Sequence, residues 1–199
     1  MNIMKLSPLA PVFIAVSAMF SVATNAQADV APQVKFGTTA GDIMVEVYPD
    51  KAPKTVENFL QYVKDKHYDG TLFHRVIENF MVQGGGFDAN YVQKKTRAPV
   101  QHEGREALAK GGPKNVIGTL AMARTNDPNS ATAQFFINVK DNAFLDPSVQ
   151  QPGYTVFGKV VGGMDVVQKI KVTPTGPGGP FPSDVPKTPV FINSATLVK

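Results

Sequence analysis

From residue 34 onward the chain is cut into short alternations of apolar and polar positions rather than long helical stripes. In such an alternation successive side chains fall on opposite faces of a strand. Residues 34–38 and 43–48, joined through Ala40-Gly41-Asp42, read as a hairpin. Pro53 then stands where a first helical residue is tolerated. Val56, Phe59, Leu60 and Val63 follow at i, i+3, i+4 and i+7, one apolar stripe on a helix. Lys64 and Lys66 suit the C-terminal end of that helix, and Gly70 lies beyond it. Residues 73–87 read as two short strands meeting at a tight turn, with Phe73, Arg75 and Ile77 on one face of the first and Met81 and Gln83 on one face of the second.

Downstream, residues 119–123, 133–139, 154–161 and 190–198 read as strands, and residues 126–130 as a turn. In the strand at 133–139, Gln134, Phe136 and Asn138 oppose Phe135, Ile137 and Val139. Gly162-Gly163 precede a second helix over 164–171, whose apolar positions Met164, Val167 and Ile170 are spaced by three. Residues 90–118 form a long polar connection, and 174–189 a Pro/Gly-rich crossing. There is no internal repeat and no interdomain linker. Many short strands with two helices predict a β-barrel or sandwich. Closing the sheet on itself removes exposed edges, and the helices can then cover the open ends.

Composition narrows the picture. A chain of 199 residues, 43% of them apolar, is long enough for one well-buried domain and short for two. It has no cysteine, and its three histidines, His67, His74 and His102, show no metal-ligand spacing, so zinc or thiol chemistry is not expected. The net charge of +4 is spread over interspersed lysines and acids, with Lys94-Lys95 and Arg97 the only small basic cluster, which argues against a nucleic-acid footprint. Lys5 is the only charge before Asp29, residues 9–22 are mostly apolar, and Ala26-Gln27-Ala28 supplies a small-residue cleavage site. That is the three-part form of a secretory signal peptide over residues 1–28. It leaves residues 29–199 as the mature domain of an exported protein. A membrane anchor needs about 20 apolar residues, more than this stretch holds.

The chemistry concentrates in the paired strands at 73–87. They bring a permanently charged fork, Arg75, beside an amide, Gln83, with Met81 and Phe80 close by. The set contains no nucleophile and no carboxylate pair, so it can grip and polarise a substrate but is poorly equipped to break a covalent bond. Taken alone, an arginine on a strand more often pairs with a surface acid, and these apolar residues would more often be core. Gly84-Gly85-Gly86 lacks the Lys-Ser/Thr of a phosphate loop, and close backbone approach is the better reading.

Phe73-His74-Arg75-Val76-Ile77 with Phe80-Met81-Val82-Gln83-Gly84-Gly85 resembles the signature of the cyclophilins, peptidyl-prolyl cis-trans isomerases. Gly118–Ala123, Gln134-Phe135-Phe136-Ile137, Phe144-Leu145-Asp146, Val156–Val160 and Gly163–Val167 resemble the family's later blocks in the same order, over essentially all of 34–198. With its leader, the chain is similar to the periplasmic cyclophilins of Gram-negative bacteria. The resemblance implies a mainly β fold, a closed eight-stranded antiparallel β-barrel capped by two α-helices, with the site on the outer face. It implies Arg75 as the catalytic residue, Phe80, Met81, Phe136 and Leu145 lining a proline pocket, and Gln83, Ala123, Arg124 and Gln134 holding the flanking peptide. Phe144 and Tyr154 complete the rim, and His74 stays structural. The implied partners are unfolded or proline-containing polypeptides, with no cofactor and no metal. The sequence carries no signal for oligomeric state, and a monomer is the default expectation.

Several positions depart from the common family pattern. Glu78-Asn79 replaces Pro-Gly at the turn, where Asn79 can adopt a left-handed conformation. Phe144 stands in place of the tryptophan of cyclosporin-sensitive members and lacks the indole N–H donor, so weak cyclosporin binding is expected. Tyr154 occupies a frequent histidine position and Arg124 a common asparagine position. A non-catalytic proline-peptide-binding or chaperone module of the cell envelope is the competing reading, while a hydrolase finds no support, because there is no G-x-S-x-G.

Overall fold

The computed structural model describes residues 31–198, together with the isolated residue 1. Apart from Met1, the expected leader over 1–28 lies outside the described residues, as does Asp29. The predicted hairpin forms as β1 (Gln33–Thr38) and β2 (Gly41–Val47). The Thr38 hydroxyl closes its turn, donating to Gly41 O at 2.6 Å and accepting from Ala40 N–H at 3.1 Å. Helix α1 (Pro53–Lys64) starts at the expected proline and buries Val56, Phe59 and Val63, with Thr55 and Tyr62. Leu60 remains only partly buried.

Strands β3 (Thr71–Leu72), β4 (Arg75–Ile77) and β5 (Met81–Gly84) follow. Helix α2 (Gly104–Ala109), an element the sequence did not predict, precedes β6 (Thr119–Met122) and β7 (Phe135–Asn138). Then come β8 (Val156–Gly162) and α3 (Met164–Lys171), the latter with the predicted bounds. The expected irregular crossing over 174–189 folds instead into a hairpin of β9 (Thr175–Gly178) and β10 (Phe181–Pro186). Strand β11 (Phe191–Leu197) ends the described fold.

Nine strands form one curled antiparallel sheet in the order β3-β11-β1-β2-β8-β6-β7-β5-β4. By its pairing the sheet is open, with nine strands in it and three α-helices among the described residues, where a closed barrel of eight strands and two helices was expected. The added strand has a local origin. The run 71–77 is interrupted at Phe73-His74, so β3 pairs with β11 on one side of the break and β4 with β5 on the other. The interruption also overturns the expected face of Phe73. It is buried in the main core with Val76 and does not share the face of Arg75, because strict alternation does not carry across a break in the strand.

The main core fills the concave side. Phe36 stacks on Phe135 at 5.2 Å, and Phe59 from α1 meets Phe157 at 5.1 Å and Tyr68 at 5.5 Å. Such aromatic contacts add to the burial of large apolar area. Helix α1 has no side-chain cap of its own. Its free first-turn N–H groups are met from 48 residues away by buried Glu103, whose carboxylate accepts from Thr55 N–H and Thr55 Oγ1 at 2.8 Å each and from Lys54 N–H at 3.1 Å. A carboxylate at a helix N-terminus also complements the helix dipole. The long excursion over 90–118 is thereby tied to the core. Glu103→Ala is expected to lower unfolding stability by about 3 kcal/mol, since buried donors are left unsatisfied. Urea unfolding checks this; a loss under about 1 kcal/mol would contradict it.

Candidate active site

Register across four neighbouring strands builds the site. Arg75 pairs with Gln83, Gln83 with Phe136, and Phe136 with Ala121. Directly paired residues face the same side of a sheet. Arg75, Gln83, Phe136 and Ala121 therefore form one row on the side away from the main core. The intervening residues Val76, Val82, Ile137 and Leu120 point inward into it. Met81, Ala121, Phe136, Leu145 and Val156 make a second buried apolar cluster on the outer side, against which Ile77, Phe80, Ala123 and Tyr154 pack.

This outer face holds a cavity of about 310 Å³ lined by Arg75, Phe80, Met81, Gln83, Ala123, Arg124, Phe136, Phe144, Leu145 and Tyr154. Its floor is buried at Met81, Phe136 and Leu145, while Phe144 is exposed and stacks on Phe80 at 5.6 Å. Gln134 is the one sequence-predicted residue that lies outside this cavity. It lines an adjoining polar cleft of about 180 Å³ with Gln83 and Arg124, and its Oε1 accepts from Gln83 Nε2 at 3.0 Å. A Cβ on Gly86 would fall 2.4 Å from Gln134 Cγ, so any side chain there would displace Gln134 from this position. Arg124 lies over the Tyr154 ring at 4.5 Å, and its Nη2 donates to Gly153 O at 2.8 Å. Tyr154 in turn meets Phe136 edge-on at 5.5 Å.

Two structural supports were not read from the sequence. Asn142 Nδ2 donates to Phe80 O at 2.9 Å and to Asn138 Oδ1 at 2.7 Å, while Asn138 Nδ2 donates to Thr119 Oγ1 at 3.0 Å. This buried network joins the two sides of the rim, the turn carrying Phe80 and the one-turn helix Ala143–Leu145. A satisfied polar network of this kind fixes one arrangement of its neighbours. The only sequence signal was Asn138 itself, a polar residue at the end of an otherwise apolar strand. The second support is Asp184, whose carboxylate stands 3.7 Å from Arg75 Nε.

The turn at Glu78-Asn79 closes by Phe80 N–H donating to Ile77 O at 3.0 Å. The turn forms without Pro-Gly, as expected, and Asn79 does not use the left-handed conformation that asparagine tolerates. A larger hollow of about 710 Å³ opens between α1 and β11, near Val56, Leu60, Val63 and Leu197. None of the sequence-predicted site residues lines it. Among the described residues no group of three His, Cys, Asp or Glu side chains is placed to hold a metal.

Residues 33–197 match the family model described as cyclophilin type peptidyl-prolyl cis-trans isomerase. The chain belongs to that family. It is 55% identical over 168 residues to a peptidyl-prolyl cis-trans isomerase of Streptomyces antibioticus, covering 83% of this chain and 98% of the relative. It is 53% identical over 167 residues to peptidyl-prolyl cis-trans isomerase B of Escherichia coli, covering 82% and 98%. Among solved structures, a cyclophilin of Cryptosporidium parvum superposes with a TM-score of 0.67 at 23% identity, over 85% of this chain and 98% of that one. A cyclophilin from Hirschia baltica also gives 0.67, at 26% identity, over 85% and 75%. The protein is thus a peptidyl-prolyl cis-trans isomerase, a rotamase, with a cyclophilin-like, mainly β fold.

His74, next to Arg75, is buried between Phe87 at 4.6 Å and Phe181 at 5.3 Å, and its Nδ1 has no hydrogen-bond partner. Burial, reinforced by the charge of Arg75, pushes its pKa down from 6.5 to about 4. Unfolded chains therefore take up a proton near pH 6.5 that the folded protein refuses until about pH 4. The His74 contribution is fully present above pH 6.5 and is lost as pH falls toward 4, about 3 kcal/mol in all. Urea unfolding of wild type and His74→Phe across that window is expected to show the shallower pH dependence in the variant. Parallel curves would contradict the assignment.

Proposed function

We propose that Arg75 drives rotation of X–Pro bonds by donating a hydrogen bond to the prolyl nitrogen as the amide twists. Amide resonance sets a barrier of about 18–20 kcal/mol and makes the uncatalysed turnover slow. Twisting localises a lone pair on that nitrogen. A permanently charged guanidinium can then bond to it, which it cannot do in the planar ground state, and this is differential binding of the transition state. A reduction of roughly 7 kcal/mol corresponds to about 10⁵-fold acceleration. The apolar floor of Met81, Phe136 and Leu145 suits a pyrrolidine ring, and Gln83 with the Arg124 rim suits the peptide on either side. No proton transfer enters the scheme, so no cofactor is needed. One observation carries the reading: the guanidinium-bearing residue and a buried apolar floor border the same cavity.

The natural substrates in this reading are proline-containing polypeptides folding after export to the periplasm. The three-part leader, with Lys5, the apolar run 9–22 and Ala26-Gln27-Ala28, supports that placement. The eight-strand reading of the barrel belongs here too, with β3 and β4, joined through Phe73-His74, counted as one strand linking β11 to β5.

A protease-coupled isomerisation assay on an Ala-Pro peptide tests the mechanism. Arg75→Ala is expected to lose at least about 100-fold in kcat/KM while keeping its unfolding midpoint. Equal and negligible turnover in both proteins would favour a binding or chaperone module, and full activity in the variant would remove Arg75 from the mechanism. Cyclosporin is expected to inhibit weakly, because Phe144 has no N–H to donate. A titration showing tight inhibition would contradict that. N-terminal sequencing of the exported protein is expected to begin near Asp29; a start at Met1 would contradict cleavage.

A further inference from the structure

The β9–β10 hairpin lies against β4, the strand that carries Arg75. Two side chains fasten it. Phe181 packs edge-on to Phe87 at 5.1 Å and over His74 at 5.3 Å, and Val185 is buried. Between these anchors the pairing passes from Phe181 opposite Gly178 to Val185 opposite Gly176, so β10 is bulged. Asp184 sits in the bulge with φ +66°, a left-handed conformation uncommon outside glycine and tolerated best by Asp and Asn. Bulges re-aim side chains, and residues held in this region are enriched at functional sites. Here the re-aimed group is a carboxylate, 3.7 Å from Arg75 Nε. Among the described residues Asp184 is the only polar partner of the Arg75 side chain.

We infer that Asp184 is a positioning residue for Arg75, holding the Nε edge of the guanidinium so that its Nη groups serve the cavity. The inference rests on the proposed role of Arg75. An arginine side chain that is 42% exposed samples many rotamers unless something restrains it. A carboxylate on a hairpin anchored by the ring contacts of half-buried Phe181 and by buried Val185 supplies that restraint before substrate arrives, and pre-set orientation lowers the barrier of the reacting complex. A half-exposed ion pair contributes little to folding stability, so its removal shows in turnover rather than in the unfolding midpoint.

The test uses Asp184→Asn and Asp184→Gly, both of which tolerate the left-handed backbone, alone and in the Arg75→Ala background. Each single variant is expected to lower kcat by about three- to ten-fold with KM held within about two-fold. The unfolding midpoint is expected to stay unchanged. In the Arg75→Ala background the same substitutions are expected to have no further effect. Unchanged kcat in both Asp184 variants, with activity lost in Arg75→Ala, would overturn this inference alone. Equal loss in both backgrounds would also overturn it, since the effect would not run through Arg75. Full activity in Arg75→Ala would overturn the underlying mechanism and this inference with it.

Discussion

Paired strands have two faces, and the site depends on β4, β5, β7 and β6 using both at once. Their inward residues, Val76, Val82, Ile137 and Leu120, are held in the main core. Their outward residues, Arg75, Gln83, Phe136 and Ala121, are fixed by the same backbone ladder. A one-residue slip would exchange the two sets, placing a guanidinium in the core and aliphatic side chains on the surface. Burial of the inner row therefore fixes the geometry of the outer row. A cavity built on such strands inherits the rigidity of the core beneath it.

Loops complete what the sheet begins. The strands supply the cation and the Met81 and Phe136 part of the floor, while Phe144, Leu145, Arg124 and Tyr154 come from connections and would be mobile without ties. Those ties are polar and local to the rim. Asn142 joins the carbonyl of Phe80 to Asn138, and Gly153 O accepts from Arg124. Arg75 is steadied from the far side by the hairpin that carries Asp184. Apolar grip thus comes from the sheet together with Leu145, and orientation comes from hydrogen bonds and one ion pair around it.

Much of this was legible in the sequence because alternation and helical spacing are strong local signals. The first hairpin, α1, α3 and the opposed faces of β7 all follow from periodicity. Ten of the eleven named site residues line one cavity because they occupy ordered motifs, and Gln134 adjoins it. What was missed depends on contacts distant in sequence. Glu103 caps a helix 48 residues away, and Asp184 meets Arg75 across more than a hundred residues. The β9–β10 hairpin was hidden by Pro and Gly, which read locally as irregular chain yet here support a bulged pair held down by Phe181. The break at Phe73-His74 was hidden too, since side-chain alternation alone does not reveal a change of pairing partner.

The most direct measurement is a backbone amide NMR titration of the protein with a short Ala-Pro peptide. The outer-face account predicts that shift changes cluster on β4, β5 and β7 and on the turn Ala143–Leu145, with α1 and β11 silent. Changes centred on the larger hollow between α1 and β11, with the Arg75 strand unmoved, would contradict it.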